Sequence, residues 1–173
     1  TKWPHQGDSV DATDEACRQR VQLLAEGRWL RWCVPREYGG KHESLDVRSL
    51  CLIRETLARY DALADFSFAM QGLGSGAISL YGNPEQKQNI LEEVSAGRMI
   101  AGFALSEPDA GSDVAAMSSK AFSTTEGWKV NGEKSWISNG GIADYYTLFA
   151  KTSDQPGSGG ISAFLPDADN PGL

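Results

Sequence analysis

Gly102-Phe103-Ala104-Leu105-Ser106-Glu107-Pro108-Asp109-Ala110-Gly111-Ser112-Asp113 is the stretch on which the fold turns. It completes an apolar run, Met99 to Leu105, that reads as a buried strand and breaks at Glu107-Pro108 into a small, polar turn. Upstream of this run the apolar residues recur at helical spacing, and downstream they follow strand period. A strand that runs into a Gly/Ser/Ala loop leaves backbone N–H groups open to a polar or anionic ligand. The same residues also fit an ordinary turn, since every strand must end in one.

Four helices are expected before it. Thr1 to Val10, polar and holding Pro4 and Gly7, reads as a loosely held lead-in. The first helix spans Thr13 to Glu26, with Cys17, Val21 and Leu24 on one face, Thr13 as N-cap and Gly27 as C-cap. Trp29 to Val34 is too apolar for a solvent loop, and Pro35 to Gly40 forms a turn. A second helix, Ser44 to Tyr60, carries Val47, Leu50, Cys51, Leu57 and Ala58 on a stripe that Arg54 interrupts as a snorkelling edge residue. The third, Phe66 to Tyr81, is expected to bury Phe66, Met70, Leu73, Ala77 and Leu80. Its Gly72, Gly74 and Gly76 each cost about 1 kcal/mol against Ala, which packing between helices is expected to offset, with close approach of another backbone or of a ligand on that face as the alternative. Asn83-Pro84-Glu85-Gln86 opens the fourth helix with N-cap, N1 proline and capping-box glutamine, and Gly97 closes it.

After Met99 to Leu105, the predicted strands are Lys120 to Thr124, Gly127 to Val130, Glu133 to Ser138, Tyr145 to Ala150 and Ile161 to Leu165. Asn131-Gly132 supplies a hairpin signal between the second and third of these. The expected fold is therefore an all-α domain over residues 1–98 followed by an antiparallel β-barrel domain over 99–173 that is incomplete at its C-terminal end. Open strand edges at Leu173 imply that the natural chain continues.

Charge and composition narrow the function classes. The 173 residues carry a net charge of −7, with 40% hydrophobic and 23% charged residues, as ordinary globular domains do. Their 16 Lys+Arg are spread along the chain and build no basic face, which excludes a general affinity for nucleic acid or anionic membrane. Cys17, Cys33 and Cys51 have neither Cys-x-x-Cys spacing nor a ligand spacing with His5 or His42, so no metal site and no disulfide framework is expected. They read as free buried thiols of a reducing compartment. No apolar run reaches the roughly 20 residues of a membrane span.

Four blocks then carry a family resemblance: Pro35-Arg36-Glu37-Tyr38-Gly39-Gly40; Tyr81-Gly82-Asn83-Pro84-Glu85-Gln86-Lys87; Phe103 to Asp113; and Asn131-Gly132-Glu133-Lys134-Ser135-Trp136-Ile137-Ser138-Asn139-Gly140. In this order they resemble the acyl-CoA dehydrogenase family. The resemblance implies an N-terminal helical domain, a middle β-barrel domain and a C-terminal four-helix domain, the last absent from this chain, with the N-terminal end shortened as well. It implies α,β-dehydrogenation of an acyl-CoA thioester to the 2-enoyl-CoA, with hydride transfer to FAD.

On this resemblance Phe103, Ala104, Leu105 and Ser106 line the isoalloxazine ring, with backbone groups and the Ser106 hydroxyl at its pyrimidine edge. Trp136, Ile137 and Ser138 come from a facing strand, Trp136 covering the ring and the Ser138 hydroxyl near N5. Many members have Thr where Ser106 and Ser138 stand, so the hydroxyls are kept and the methyls lost. Ser112 matches a CoA contact. The family's base is a glutamate of the C-terminal domain, so no catalytic residue falls in this chain, and Glu107 and Asp113 are expected to fix the turn. Trp128, Tyr145 and Tyr146 read as sheet packing. The implied partners are acyl-CoA, an electron-transfer flavoprotein and further copies of the chain in a homodimer or homotetramer; the implied compartment is a bacterial cytoplasm or mitochondrial matrix. Two alternatives stay open: an oxidase or flavin monooxygenase of the same fold, and a non-catalytic binding module.

Overall fold

The computed structural model describes residues 10–173, and the lead-in over residues 1–9 lies outside them. Four α-helices precede a five-stranded sheet: α1 (Val10–Glu26), α2 (Val47–Tyr60), α3 (Ala62–Tyr81), α4 (Pro84–Ser95), then β1 (Ala101–Ala104), β2 (Lys120–Thr124), β3 (Gly127–Asn131), β4 (Tyr145–Lys151) and β5 (Ile161–Phe164). Short 3₁₀ turns lie at Leu30–Trp32, Arg36–Tyr38, Val114–Ala116 and Gly157–Gly160. Among the described residues no helix is long and apolar enough to cross a membrane.

Helix ends follow their caps. α1 starts three residues before the expected Thr13 cap, because nothing between Val10 and Thr13 breaks a helix. α2 starts at Val47 rather than Ser44, because the Asp46 carboxylate takes the Ser49 N–H and hydroxyl and so becomes the N-cap. α3 begins four residues before the expected Phe66. Asp61 accepts from the N–H groups of Leu63 and Ala64 at 2.9 and 3.0 Å, and its other oxygen meets buried Arg20 at 3.0 Å. α4 has the expected capping box, with both reciprocal bonds between Asn83 and Gln86.

Two predicted burial stripes are corrected. In α2, Val47, Cys51 and Ala58 face solvent, and the helix packs through Ile53 with Leu50 and Leu57 beside it. Cys51 is thus exposed, while Cys17 and Cys33 are buried. Arg54, at the edge of the stripe, holds Asp65 through two bonds of 2.9 and 3.0 Å. In α3 the inward face is Ala64, Ser67, Phe68, Gln71, Gly74, Ser75 and Ile78, with Met70; Phe66, Leu73 and Leu80 are exposed.

The reason lies in what α3 faces. A Cβ at Gly74 would overlap that of Ala101, so only a glycine lets α3 approach β1 this closely. Gln71 accepts from Ala101 N–H at 2.9 Å and donates to Met99 O at 2.8 Å, closing backbone groups where the chain enters β1. Thr147 on β4 donates to Gly74 O at 2.6 Å. Leu24, Leu30, Val34, Phe68, Leu91 and Tyr145 build the main core around this contact. A smaller apolar cluster, Ala104, Ala121, Leu148 and Ala150, lies within the sheet.

The sheet is mixed and open, which corrects the antiparallel barrel. Its order is β1-β4-β2-β3 with β5 also on β4. β1 and β2 both pair parallel to β4, one after the other along one edge, and β5 runs antiparallel along the other. The long connection over residues 105–144 lets β4 return parallel to β1, and β2 and β3 form a hairpin within it.

The strand expected over Glu133 to Ser138 does not form, and the hairpin turn is at Thr125-Glu126, closed by Gly127 at φ +135°. Gly132 serves close packing instead, since a Cβ there would overlap Ser119. Trp136 and Asn139, both at φ +61°, break the extended backbone that a strand needs.

Candidate functional site

Residues 134–139 lie alongside β1 and are fastened to it at both ends. At one end Ser135 N–H donates to Ser106 O at 2.9 Å, and Lys134 Nζ donates to Leu105 O at 3.0 Å. At the other, the Asn139 side-chain amide donates to Ala101 O at 2.9 Å. Phe103 to Ser106 and Trp136 to Ser138 are thus brought side by side, although the second segment is a strained loop and not a strand.

Each predicted residue has a definite place. Phe103 is half-buried, edge-on to Phe149 with ring centroids 5.2 Å apart. Ala104 is buried in the small sheet cluster, against which Ile137 also packs. Leu105 lines a cavity. Ser106 and Ser138 are half-buried, and among the described residues neither hydroxyl has a hydrogen-bond partner. Trp136 is 91% exposed, its indole projecting beyond the fold from a left-handed backbone. A bulky residue at positive φ is strained by about 1–2 kcal/mol and persists only when its surroundings fix it. Ser112 is exposed in the turn after Ala110 and has no partner among the described residues. Trp128 packs on Phe164 with centroids 5.6 Å apart, as a sheet residue would.

Beneath these two segments sits a buried ion pair. Glu107, 4% exposed, accepts from Lys134 Nζ at 2.8 Å, from both backbone N–H groups of Ser118 and Ser119, and from the Ser118 hydroxyl. Its own backbone closes a tight turn with Ala110, N–H to carbonyl in each direction. Burial alone would raise the Glu107 pKa, but the bonds from Lys134, Ser119 and Ser118 together outweigh it and hold the carboxyl at about 2. A carboxylate so committed is a poor proton acceptor, so Glu107 is a structural anion and not a base. Asp113 supplies only its carbonyl, to Ala116 N–H, at the start of the following 3₁₀ turn.

A cavity of about 600 Å³ opens beside Leu105. Ala77, Ile78 and Tyr81 of α3 wall one side, and Thr147, Phe149 and Ile161 of the sheet wall another. Its lining is mainly apolar, which suits a hydrocarbon guest. Sequence reasoning missed this cavity, because it depends on β4 and β5 facing the end of α3. Lys134 and Asn139 were also missed as anchors; both lie inside the quoted Asn131–Gly140 block, next to the residues singled out there.

Comparison with known proteins agrees with the arrangement. Residues 2–98 match the acyl-CoA dehydrogenase N-terminal domain, and residues 102–173 match the acyl-CoA dehydrogenase middle domain. A probable acyl-CoA dehydrogenase of Mycobacterium leprae is 40% identical over 170 residues, covering 98% of this chain and 43% of that protein. The crystal structure of an acyl-CoA dehydrogenase from Geobacillus kaustophilus superposes with a TM-score of 0.80 at 30% identity, over 94% of this chain and 44% of that one. An acyl-CoA dehydrogenase from Bacillus anthracis, complexed with FAD, superposes with a TM-score of 0.74 at 34% identity, over 93% of this chain and 27% of that one. The chain belongs to the acyl-CoA dehydrogenase family. It spans less than half the length of these relatives.

Proposed function

We propose that this chain is the FAD- and acyl-CoA-binding portion of an acyl-CoA dehydrogenase. The observation that carries the reading is the pair of segments fastened side by side, Phe103–Ser106 and Trp136–Ser138, whose two serine hydroxyls have no partner among the described residues. Half-buried hydroxyls beside an exposed indole fit the polar edge and flat face of an isoalloxazine. Bound there, FAD supplies the hydride acceptor for α,β-dehydrogenation.

In this reading Ser106 and Ser138 donate to the ring's polar edge and Trp136 covers it. Leu105 separates the ring from the apolar cavity, which receives the acyl chain, and Ser112 contacts the CoA portion. Glu107, committed to Lys134, is not the base, and proton abstraction is assigned to the glutamate that the family resemblance places in a C-terminal domain. Electron-transfer flavoprotein as acceptor, a homo-oligomeric state and a bacterial cytoplasm complete the proposal, the last in keeping with the bacterial relatives.

Titration with FAD, followed by flavin fluorescence, tests it. The expected outcome is saturable uptake that yields a yellow protein, weakened severalfold in Ser138→Ala, as the loss of one hydrogen bond worth about 1 kcal/mol predicts. A protein that takes up no FAD refutes the reading.

A further inference from the structure

We propose that Lys134 is a positioning residue of the flavin slot: one ammonium group holds both walls at once. The inference rests on the flavin reading above and adds to it the device that fixes the distance between the walls. Lys134 Nζ grips the Leu105 carbonyl on one wall while its own backbone opens the segment that leads to Trp136 on the other. Its remaining strong bond goes to Glu107, which Ser118 and Ser119 hold in place from a third segment. The ammonium therefore sits at a fixed point relative to β1, and the adjacent Ser135 N–H bond to Ser106 O sets the direction in which the chain leaves.

Trp136 needs this restraint. At φ +61° and almost fully exposed, it gains nothing from burial that would favour the left-handed conformation. Beyond it, Ile137 packs on the sheet cluster and Asn139 ties the far end to Ala101. Releasing Lys134 leaves the tryptophan end of the segment with a single backbone bond, and the indole then relaxes toward extended backbone, away from the slot. A site whose supporting groups are lost loosens by ångströms and loses affinity out of proportion to the bond removed.

The test compares Lys134→Met with the double variant Glu107→Gln/Lys134→Met. The double variant removes the buried pair together, so no uncompensated charge remains to unfold the protein. Three readouts are taken: FAD affinity, the circular dichroism induced in bound flavin, and amide hydrogen exchange of residues 134–139 in the FAD-free protein. The expected result is that the double variant still unfolds in one cooperative transition at a lower midpoint than wild type, exchanges faster across 134–139 than in the rest of the chain, binds FAD roughly tenfold more weakly and changes the induced flavin signal. Wild-type affinity and an unchanged flavin signal in both variants overturn the inference while leaving the flavin reading intact. A wild-type protein that takes up no FAD overturns that reading and this inference with it.

Discussion

α4 and α3 are neighbours along the chain, yet only α3 buries a polar stripe beside its apolar one. α4 follows the familiar rule, with Leu91 and Val94 inside and charged residues such as Glu85 and Glu92 outside. α3 turns Ser67, Gln71 and Ser75 inward at a spacing of four, and leaves Leu73 at 50% and Leu80 at 62% exposure. The difference comes from what each helix meets. α4 packs on side chains, whereas α3 packs on the backbone at the start of β1, which offers an N–H and a carbonyl that must be paired and allows no room for a Cβ at Gly74. A helix set against a strand in this way needs polar and small residues where the two backbones meet, and α3 carries Gln71 and Gly74 there beside the buried Phe68 and Ile78, while Leu73 and Leu80 are left outside.

Removing Gln71 strikes this contrast hardest. Gln71→Leu keeps the volume and would suit a core of the α4 kind, but it orphans Ala101 N–H and Met99 O. The expected loss is roughly 3 kcal/mol, read as a fall in the urea midpoint without a change in slope. A neutral or stabilising result would mean that α3 is packed as α4 is, and the contrast would fail.

Acid probes a second buried polar group, Glu107. Because Glu107 falls from an ordinary 4.5 to about 2 on folding, its contribution is fully present above pH 4.5 and is lost as pH falls through about 2. The amount is on the order of 3 kcal/mol. Wild type should therefore lose more stability than Glu107→Gln between pH 5 and pH 2. Parallel stability curves for the two proteins would show that the carboxylate's bonds do not stabilise the fold.

The same contrast marks how far the sequence could be read. Local signals came through: the Asn83–Gln86 cap, the full extent of β2, and the two blocks that the fold fastens together all depend on residues close in the chain. Signals that depend on a distant partner did not. Gln71 and Ser75 look like a solvent face until the entry to β1 and the Cys33 carbonyl are known to lie against them, and Asn131-Gly132 looks like a hairpin turn until Ser119 is seen against Gly132. The parallel pairing of β1 with β4 follows from a connection of forty residues (105–144) whose path no local pattern specifies. At the candidate site, the motif singled out Trp136 and Ser138, but not the left-handed backbone at Trp136 or the Lys134 bond to Leu105 O.

The finest test uses two glycines of α3 two residues apart. Both would weaken an isolated helix relative to alanine by about the same amount, so helix propensity predicts identical gains of about 1 kcal/mol on substitution. Packing separates them. An added methyl at Gly76 meets nothing within 4 Å, and Gly76→Ala should realise most of that gain. At Gly74 the methyl would overlap the Ala101 Cβ, forcing α3 away from β1 and stretching the Thr147 bond to Gly74 O. Overpacking of this kind costs about 1–3 kcal/mol, which exceeds the propensity gain, so Gly74→Ala should be destabilising by about 1–2 kcal/mol. Thermal melts of the two variants should shift in opposite directions. If both rose, α3 would have room to move off β1, and the close approach that makes its buried face polar and small would not be required.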